Sequence, residues 1–262
     1  MERVERETRR DSFLGHAEDY YLARPGYPPE LLRAAVEVAD LEEGASILDV
    51  GCGTGQASEW FAEAGFSVVA MDRSPEMLRF AERRVGGRPN VEIRCEDFEE
   101  ATGLGPFSAL VFATSYHWLD PETRVSRCLE ALLPRGALIL LWHTHPLPYT
   151  GYFLRSQPIY RRWIPDWEPP PTPGARESDV HGIVQELESS GGFAEVHRRS
   201  HDWSRTYDRD LYLKLLNTYS DHRLLPDDAL VALRRELSYL IDAEFGGVVD
   251  RPYRTELVLA LR

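Results

Sequence analysis

The sequence predicts an α/β protein in which helices cover both faces of a largely parallel β-sheet. In the first half of the chain, short apolar runs alternate with segments of helical spacing, which is the pattern of consecutive strand–helix–strand units. Glycines at 51, 53 and 55 follow the first of these strands, and Asp72 follows the second. These observations predict a doubly wound sheet whose ligand site lies at the carboxyl ends of the strands.

The first half contains five predicted strands and three predicted helices. The strands are apolar, β-rich runs bounded by turn residues, and they cover residues 45–50, 66–71, 91–94, 108–114 and 137–143. The first helix covers residues 56–64. Ser74 is the expected N-cap of the second helix, with Pro75 at its first position and an end near residue 84. The third helix should begin at Asp120 and Pro121 and end at Leu133.

The pattern changes after His143. Residues 146–175 hold eight of the 18 prolines together with six aromatic residues, which is unlike a flexible linker. Two interpretations stay open: an insertion over a ligand site, or a surface loop that packs its own aromatic rings. Further predicted elements are a helix capped by Ser178 and ending near residue 188, a strand over 192–203, helices over 208–219 and 226–245, and a last strand over 256–261.

These elements suggest one domain with three parts. Residues 1–145 form an N-terminal lid segment and the cofactor-binding half, and residues 146–192 form an insertion or cap with its helix. Residues 193–262 supply strands and helices that complete the same domain.

Composition and charge narrow the possible functions. The 262 residues include 43 acidic and 30 basic residues, a formal net charge of −13. This field repels phosphate backbones, so nucleic acid is not an expected partner. The longest apolar run, residues 137–142, is far shorter than the roughly 20 residues that cross a bilayer, so no membrane partner is expected. Three cysteines without a CxxC pair, and a charged N-terminus without an apolar signal region, predict a cytoplasmic protein.

The single lysine, Lys214, excludes several nucleotide and cofactor sites. A P-loop needs a Gly-Lys pair, but residue 213 is Leu. Short-chain dehydrogenases of the usual kind have Tyr four residues before their lysine, and residue 210 is Asp. Pyridoxal chemistry would have to use Lys214 itself.

The sharpest signal is ILDVGCGTGQASEWFA, residues 47–62. Its glycines allow a sharp turn and a close approach to a ligand, and the next helix directs its free N–H groups to the same place. Asp72, 21 residues after Gly51, suits an acid that accepts hydrogen bonds from both ribose hydroxyls. An adenosine-type cofactor is therefore expected, the alternative being a tight turn and a solvated aspartate. Dinucleotide sites use the different spacing G-x-G-x-x-G.

With an Asp two residues before its first glycine, this segment resembles the first motif of class I S-adenosylmethionine-dependent methyltransferases. The second to fifth motifs of that family are similar to VVAMDRSPEML (68–78), RCEDF (94–98), ALVFATSYHWLD (109–120) and LLPRGALILLW (132–142). YRTELVLALR (253–262) resembles its antiparallel seventh strand. Two departures are Ala109, where the family usually has Asp, and Arg135-Gly136 in place of Gly-Gly. The resemblance implies a Rossmann-like, seven-stranded, mostly parallel sheet with an antiparallel last strand and an inserted aromatic, helical cap.

The resemblance also implies S-adenosylmethionine as cofactor and S-adenosylhomocysteine as product. By analogy, Asp49 faces the amino and sulfonium end of the cofactor, and Asp97 bonds the adenine amino group, with Glu96 as the alternative because the register is ambiguous by one. The expected cofactor-binding residues are Tyr20, Arg24, Asp49, Gly51, Cys52, Gly53, Gly55, Gln56, Asp72, Arg73, Met77, Asp97, Phe98 and Ala113.

The N-terminal segment is similar to that of a small-molecule subgroup, the type 11 or trans-aconitate methyltransferase-like proteins. The similarity consists of Phe13, Ala17 and Tyr20, followed by RPGYP at residues 24–28. It implies that the segment packs over the cofactor, with Arg24 on the cofactor carboxylate and Tyr20 over the methionine end. The alternative is a proline-initiated helix entry with a solvated Arg24.

Catalytic residues are expected where strands four and five end. Methyl transfer from a sulfonium mainly requires alignment and a dry site, and a hydroxyl nucleophile also needs a base. His117 and His143 are the candidates, because histidine titrates near neutral pH. His117 could instead form a wall of the cofactor pocket. His143 and His145 share a strand face, but no nearby carboxylate completes a metal site, so no metal is expected.

The expected function is methyl transfer to an oxygen atom of a small-molecule acceptor by a monomer or homodimer. Transfer to carbon or nitrogen on the same fold, or cofactor binding without methylation, are the alternatives. An NAD-dependent oxidoreductase is disfavoured by the loop spacing and the missing Tyr/Lys pair.

Overall fold

A computed structural model describes residues 15–164, 167–168, 177–223 and 225–262. Seven strands form one sheet in the order β3-β2-β1-β4-β5-β7-β6. They are β1 (Ser46–Val50), β2 (Ser67–Asp72), β3 (Val91–Cys95), β4 (Phe107–Ala113), β5 (Leu132–Thr144), β6 (Glu195–Asp208) and β7 (Val248–Leu261). Strand β7 is antiparallel to β5 and β6, and the other pairs are parallel. The predicted fold class is confirmed.

Eleven helices are present in the described part of the chain. They are α1 (Ala17–Ala23), α2 (Pro29–Val38), α3 (Gln56–Glu63), α4 (Pro75–Val85), α5 (Arg124–Ala131), α6 (Gly151–Arg155), α7 (Gln157–Trp163), α8 (Glu177–Ser189), α9 (Arg209–Leu216), α10 (Ser220–Arg223) and α11 (Asp227–Phe245). Ser74 caps α4 as predicted, because its hydroxyl accepts a hydrogen bond from the Met77 N–H at 3.3 Å.

Two hydrophobic clusters cover the two faces of the sheet. Side chains alternate between the faces of a strand, so Leu48 belongs to one cluster and its neighbour Ile47 to the other. Both side chains have no solvent exposure. A sheet buried on both faces requires strands that are apolar throughout, which is why the central strands appear as largely apolar runs in the sequence.

A third, aromatic-rich cluster decides between the two interpretations of residues 146–175. Tyr152, Phe153 and Tyr160 are buried together with Tyr212 of α9 and Leu237 of α11. The described part of the segment therefore packs its own aromatic rings against the C-terminal helices. Residues 165–166 and 169–176 of the predicted cap lie outside the described residues.

Several predicted boundaries are wrong. Helix α5 begins at Arg124 and ends at Ala131, because Leu132 already pairs with Phe107 in the sheet. Strand β7 is much longer than predicted, and β6 begins and ends later than predicted, since the two strands pair with each other from Glu195 to Asp208. Neither local pattern reveals this pairing. Ser178 lies inside α8, so the prediction of it as an N-cap is also wrong.

Candidate functional site

A cavity of about 540 Å³ opens at the carboxyl ends of the parallel strands, the position expected for a ligand in this type of sheet. Its volume is within the range of small-molecule sites. The lining residues come from α1, the glycine loop, the ends of β2, β4 and β5, and the segment after α9. They are Tyr20, Arg24, Val50, Gly51, Gly53, Met71, Asp72, Arg73, Ser74, Pro75, Met77, Glu96, Phe98, Ala113, Thr114, Ser115, His117, Trp118, Leu119, His143 and Tyr219.

The glycine loop shapes the floor of the cavity. Gly51, Gly53 and Gly55 have φ values of 66°, 57° and 85°, a region that side chains disfavour. At Gly53 the nearest atom to an added Cβ would be Tyr20 Cε1 at 3.7 Å. The loop therefore leaves room over Gly53 that a side chain would fill.

Asp72 is held in a fixed orientation at the end of β2. Its two carboxylate oxygens accept hydrogen bonds from the Gly53 and Ser74 N–H groups at 2.9 and 2.8 Å. The carboxylate thus links the glycine loop to the start of α4 and lines the cavity. A fixed carboxylate at this position suits the two hydroxyls of a ribose.

Asp49 lies behind the cavity. The side chain is completely buried and accepts a hydrogen bond from the Ser58 hydroxyl at 2.5 Å. Its Oδ1 atom is buried without a hydrogen-bond partner, and it does not line the cavity. Burial is the main cause that raises the pKa of this carboxyl to about 7, and the negative charge of Asp72 also raises it. The position of this side chain therefore does not support the direct contact with the cofactor that the resemblance implied.

The acid that reaches the cavity after β3 is Glu96. Asp97, the preferred choice in the sequence, instead accepts a hydrogen bond from the Glu99 N–H at 3.0 Å and lies 3.7 Å from a guanidinium nitrogen of Arg73. It is absent from the cavity lining, whereas Phe98 is present. Glu96, the alternative choice, is thus the acid of this segment that lines the cavity.

The N-terminal helix α1 covers one side of the cavity. The Asn217 amide donates to Asp19 at 2.7 Å, and the Arg84 guanidinium donates to the Tyr21 carbonyl at 3.3 Å. Tyr20 and Arg24 face the cavity. Phe13 lies outside the described residues.

Arg24 is not the solvated residue of the alternative interpretation. Its guanidinium donates to the hydroxyl and the carbonyl of Thr218, each at 2.8 Å. It also lies over the rings of Tyr219 at 4.5 Å and Tyr20 at 5.1 Å. These contacts hold a positive charge in the cavity wall.

His117 follows β4 in a short 3-10 turn, Tyr116–Trp118. The imidazole is open to the cavity and 4.4 Å from the Trp118 ring, centroid to centroid. Desolvation, followed by the charges of Arg124 and Arg24, lowers its pKa to about 4, although the side chain is exposed at the cavity. His117 is consequently neutral at neutral pH.

His143 is hydrogen-bonded to a buried threonine. Thr255 Oγ1 lies 2.8 Å from both Trp203 Nε1 and His143 Nδ1. An indole N–H can only donate, so the buried Thr255 hydroxyl accepts from Trp203, and it shares a second hydrogen bond with His143 Nδ1. The other ring nitrogen, Nε2, is buried without a hydrogen-bond partner. Burial, followed by the charges of Arg24 and Arg251, lowers the pKa of His143 to about 3.

Comparison with known proteins identifies a domain within the chain. A family described as a methyltransferase domain matches residues 47–136. The chain is 32% identical over 140 residues to an uncharacterized methyltransferase of Mycobacterium tuberculosis, covering 52% of this chain and 55% of that protein. This chain contains a class I methyltransferase domain. The alignment spans about half the length of such curated relatives.

Two further likenesses extend beyond the matched segment. A ubiquinone biosynthesis O-methyltransferase of Caulobacter is 28% identical over 177 residues, covering 64% of this chain and 70% of that one. A solved Anaeromyxobacter dehalogenans protein named as a type II methyltransferase has a TM-score of 0.59 at 24% identity, covering 91% and 96% of the two chains. This structural likeness shows the fold.

Besides Asp49 and Asp97, three predicted cofactor residues of the methyltransferase domain lie outside the main cavity. Cys52 and Gln56 line a small adjoining pocket between the glycine loop and the N-terminal segment. Gly55 packs against the next helix, where an added Cβ would lie 3.5 Å from Ala81. Apart from Asp49 and Asp97, the remaining predicted residues line the cavity together. They are Tyr20, Arg24, Gly51, Gly53, Asp72, Arg73, Met77, Phe98 and Ala113.

Other aromatic and histidine side chains near the site divide between cavity and core. Tyr219 lines the cavity. Tyr116 is buried against Phe112 at 5.3 Å between ring centroids. His145 is buried 4.1 Å from Phe153, and His222 is buried 5.5 Å from Tyr160. These three side chains therefore have packing roles.

Sequence reasoning missed Thr114 and Ser115, which line the cavity beside Ala113. Thr114 has a φ of 64° and its hydroxyl lies 2.8 Å from that of Tyr27. A β-branched residue is rarely left-handed, and no local sequence signal indicates it. Within the described residues, no group of three or more potential ligands could hold a metal ion, and no helix is long and apolar enough to cross a bilayer.

Proposed function

We propose that this protein transfers a methyl group from S-adenosylmethionine to an oxygen atom of a small-molecule acceptor. The single observation that carries the proposal is the shared cavity. The glycine loop and Asp72 line the same cavity as His117, Trp118 and Tyr219. A cofactor bound by the first group and an acceptor bound by the second would therefore lie next to each other.

The cofactor end would be built from residues already in place. Asp72 would accept the ribose hydroxyls, Glu96 would accept the adenine amino group, and Met77 and Phe98 would lie against the adenine. Gly53 would leave space for the methionine portion, whose carboxylate Arg24 would bind by charge-assisted hydrogen bonds. The bound cofactor supplies an electrophilic methyl group on a sulfonium.

The acceptor end would be the region around His117, Trp118 and Tyr219. Aromatic walls exclude water and orient a planar or apolar acceptor. The acidic side chains among the lining residues are Asp72 and Glu96, both of which we place at the nucleoside end. The described acceptor end thus contains no carboxylate that could bind an ammonium group. This favours an oxygen acceptor over a protonated amine.

The low basicity of the two histidines restricts the acceptor further. Nδ1 of His143 is hydrogen-bonded to Thr255, and the pKa values of His143 and His117 are lowered to about 3 and about 4. A weak base removes a proton only from an acidic group. Carboxylates, which need no base, and acidic phenols or enols are therefore the expected acceptors, while the cavity aligns the oxygen with the methyl group.

The test is transfer of labelled methyl groups to a panel of carboxylates, phenols and amines. We expect labelled products from carboxylates or phenols, and kcat/KM should show no inflection between about pH 6 and 7, where an unperturbed histidine titrates. Asp72→Ala is the control and should lose both transfer and S-adenosylhomocysteine binding in calorimetry. Product from amines alone would contradict the oxygen assignment. Tight cofactor binding with no product from any acceptor class would contradict methyl transfer.

A further inference from the structure

The free edge of β6 is an intact template for another strand. Strand β6 is 14 residues long and pairs with β7 in an unbroken register. It is the terminal strand of the sheet, and no described strand pairs with its outer side. Proteins usually protect such edges with prolines, bulges or short strands. Strand β6 contains no proline or glycine and shows no register shift.

The charges along β6 are arranged antisymmetrically about Ser200. Two positions before it is Arg198, and two positions after it is Asp202. Five positions before it is Glu195, and five positions after it is Arg205. A strand with this pattern is complementary to a copy of itself that runs in the opposite direction.

We propose that the protein forms a homodimer in which two copies of β6 pair antiparallel about a two-fold axis at Ser200. Arg198 then lies opposite Asp202 of the second copy, and Glu195 lies opposite Arg205 of the second copy. Directly opposed residues share a face of the sheet, with Cβ atoms about 4.5–5.5 Å apart. The contact is isologous, so each charge pair occurs twice.

The pairing would also extend ion pairs that already exist within one copy. Arg198 lies 3.3 Å from the Glu256 carboxylate, and Asp202 accepts two hydrogen bonds from Arg254 at 2.6 and 2.7 Å. Across the axis, the four charged side chains would form a row, with Glu256 and Arg198 of one copy followed by Asp202 and Arg254 of the second copy. The row alternates in sign from strand to strand, and networks of this kind stabilise more than isolated surface pairs.

Other registers are less favourable. Axes at Arg198, Arg199 or Asp202 would place identical charges opposite each other, which is destabilising. An axis at His201 would place Ser204 opposite Arg198 and Tyr207 opposite Glu195, so both complementary pairs would be lost. The axis at Ser200 opposes one pair of basic side chains, Arg199 and His201. Among these registers, only the axis at Ser200 forms both complementary pairs.

Disulfide cross-linking tests the register directly. In a Cys95→Ser background, which removes the exposed cysteine while Cys52 and Cys128 stay buried, Ser200→Cys places two thiols opposite each other at the axis. Oxidation should give a covalent dimer. The matched control is Ser204→Cys, also exposed on β6, whose two copies would be roughly 27 Å apart along antiparallel strands. Absence of cross-linking at 200, or equal cross-linking at 204, would overturn the proposal.

Sedimentation measurements test the association itself. Wild type should be a dimer at micromolar concentration. Ser200→Asp should weaken dimerisation by roughly tenfold or more, about 1.4 kcal/mol, because it opposes two carboxylates, whereas the neutral Ser200→Asn should not. Glu195→Arg should weaken the dimer, and the added Arg205→Glu should restore it. A monomeric wild type, or a Glu195→Arg/Arg205→Glu variant no better than Glu195→Arg alone, would refute the interface.

Discussion

A Cβ atom on Gly51 would lie 2.7 Å from the Cβ atom of Ser115, although the two residues are 64 positions apart. The Ser115 hydroxyl donates to the Val50 carbonyl, which ties the turn after β4 to the end of β1. Gly51 is therefore required by packing between strands as well as by its φ of 66°.

Gly51→Ala should lower the free energy of unfolding by about 2–4 kcal/mol, because it combines a collision with a left-handed backbone. Denaturant unfolding measures the change. Gly53→Ala is the matched variant, since its φ is also left-handed but its Cβ would meet only Tyr20 at 3.7 Å. It should cost less stability and mainly weaken cofactor binding, and Gly53→Val should abolish that binding in a folded protein. Equal stability losses at the two glycines would contradict the packing argument.

Glu96→Gln should weaken S-adenosylhomocysteine binding by about 1–3 kcal/mol, the range of a hydrogen bond to a charged group. Asp97→Asn, next in the chain, should change the affinity by less than about 0.5 kcal/mol because this carboxylate does not line the cavity. Calorimetry on both variants decides the assignment, and a larger loss at Asp97 would restore the register preferred from the sequence.

Asp49→Asn should stabilise the ligand-free protein at pH 8. The folded-state pKa of about 7 lies above the ordinary value of 3.8, so the folded state retains a proton between these values and loses stability as pH rises through 7. The neutral amide avoids this loss and can still accept from Ser58. We expect a higher Tm than wild type at pH 8 and a much smaller difference at pH 5. The same difference at both pH values would argue against a protonated Asp49.

Thr255→Val, which preserves shape, should cost roughly 2–4 kcal/mol. It leaves both Trp203 Nε1 and His143 Nδ1 buried without a partner, and each unsatisfied group costs about 1–3 kcal/mol. Thr206→Val on the exposed part of β6 is the control, with an expected change of about 0.5 kcal/mol or less. A neutral effect at Thr255 in denaturant unfolding would contradict the stabilising role of these two hydrogen bonds.

Tyr152→Ala should destabilise the protein by about 3–5 kcal/mol, the usual cost of truncating a buried aromatic side chain. Tyr152 contacts Phe153, Tyr212 and Phe245 with centroid distances of 5.4, 5.2 and 5.7 Å. Leu154→Ala, two positions later and 56% exposed, should be nearly neutral. If Tyr152→Ala kept its stability but lost turnover, residues 146–175 would act on the acceptor after all.

The sequence by itself determined the sheet core and the cofactor loop. The run 47–62, the Ser74 cap and Asp72 are local features, in which strand, turn and helix N-terminus are adjacent in the chain and obey short-range rules. The alternation of strands and helices then fixed the fold class, because each buried strand needs cover on both faces.

Only the tertiary structure decided which side chains reach the cavity. Glu96 and Asp97 are adjacent, and the direction of each depends on the loop that carries them. Tyr219 and Ser115 meet the cofactor loop through packing across many residues, and the length of β6 is set by its pairing with β7. These relationships depend on contacts between distant segments, and such contacts leave no periodic signal in the chain.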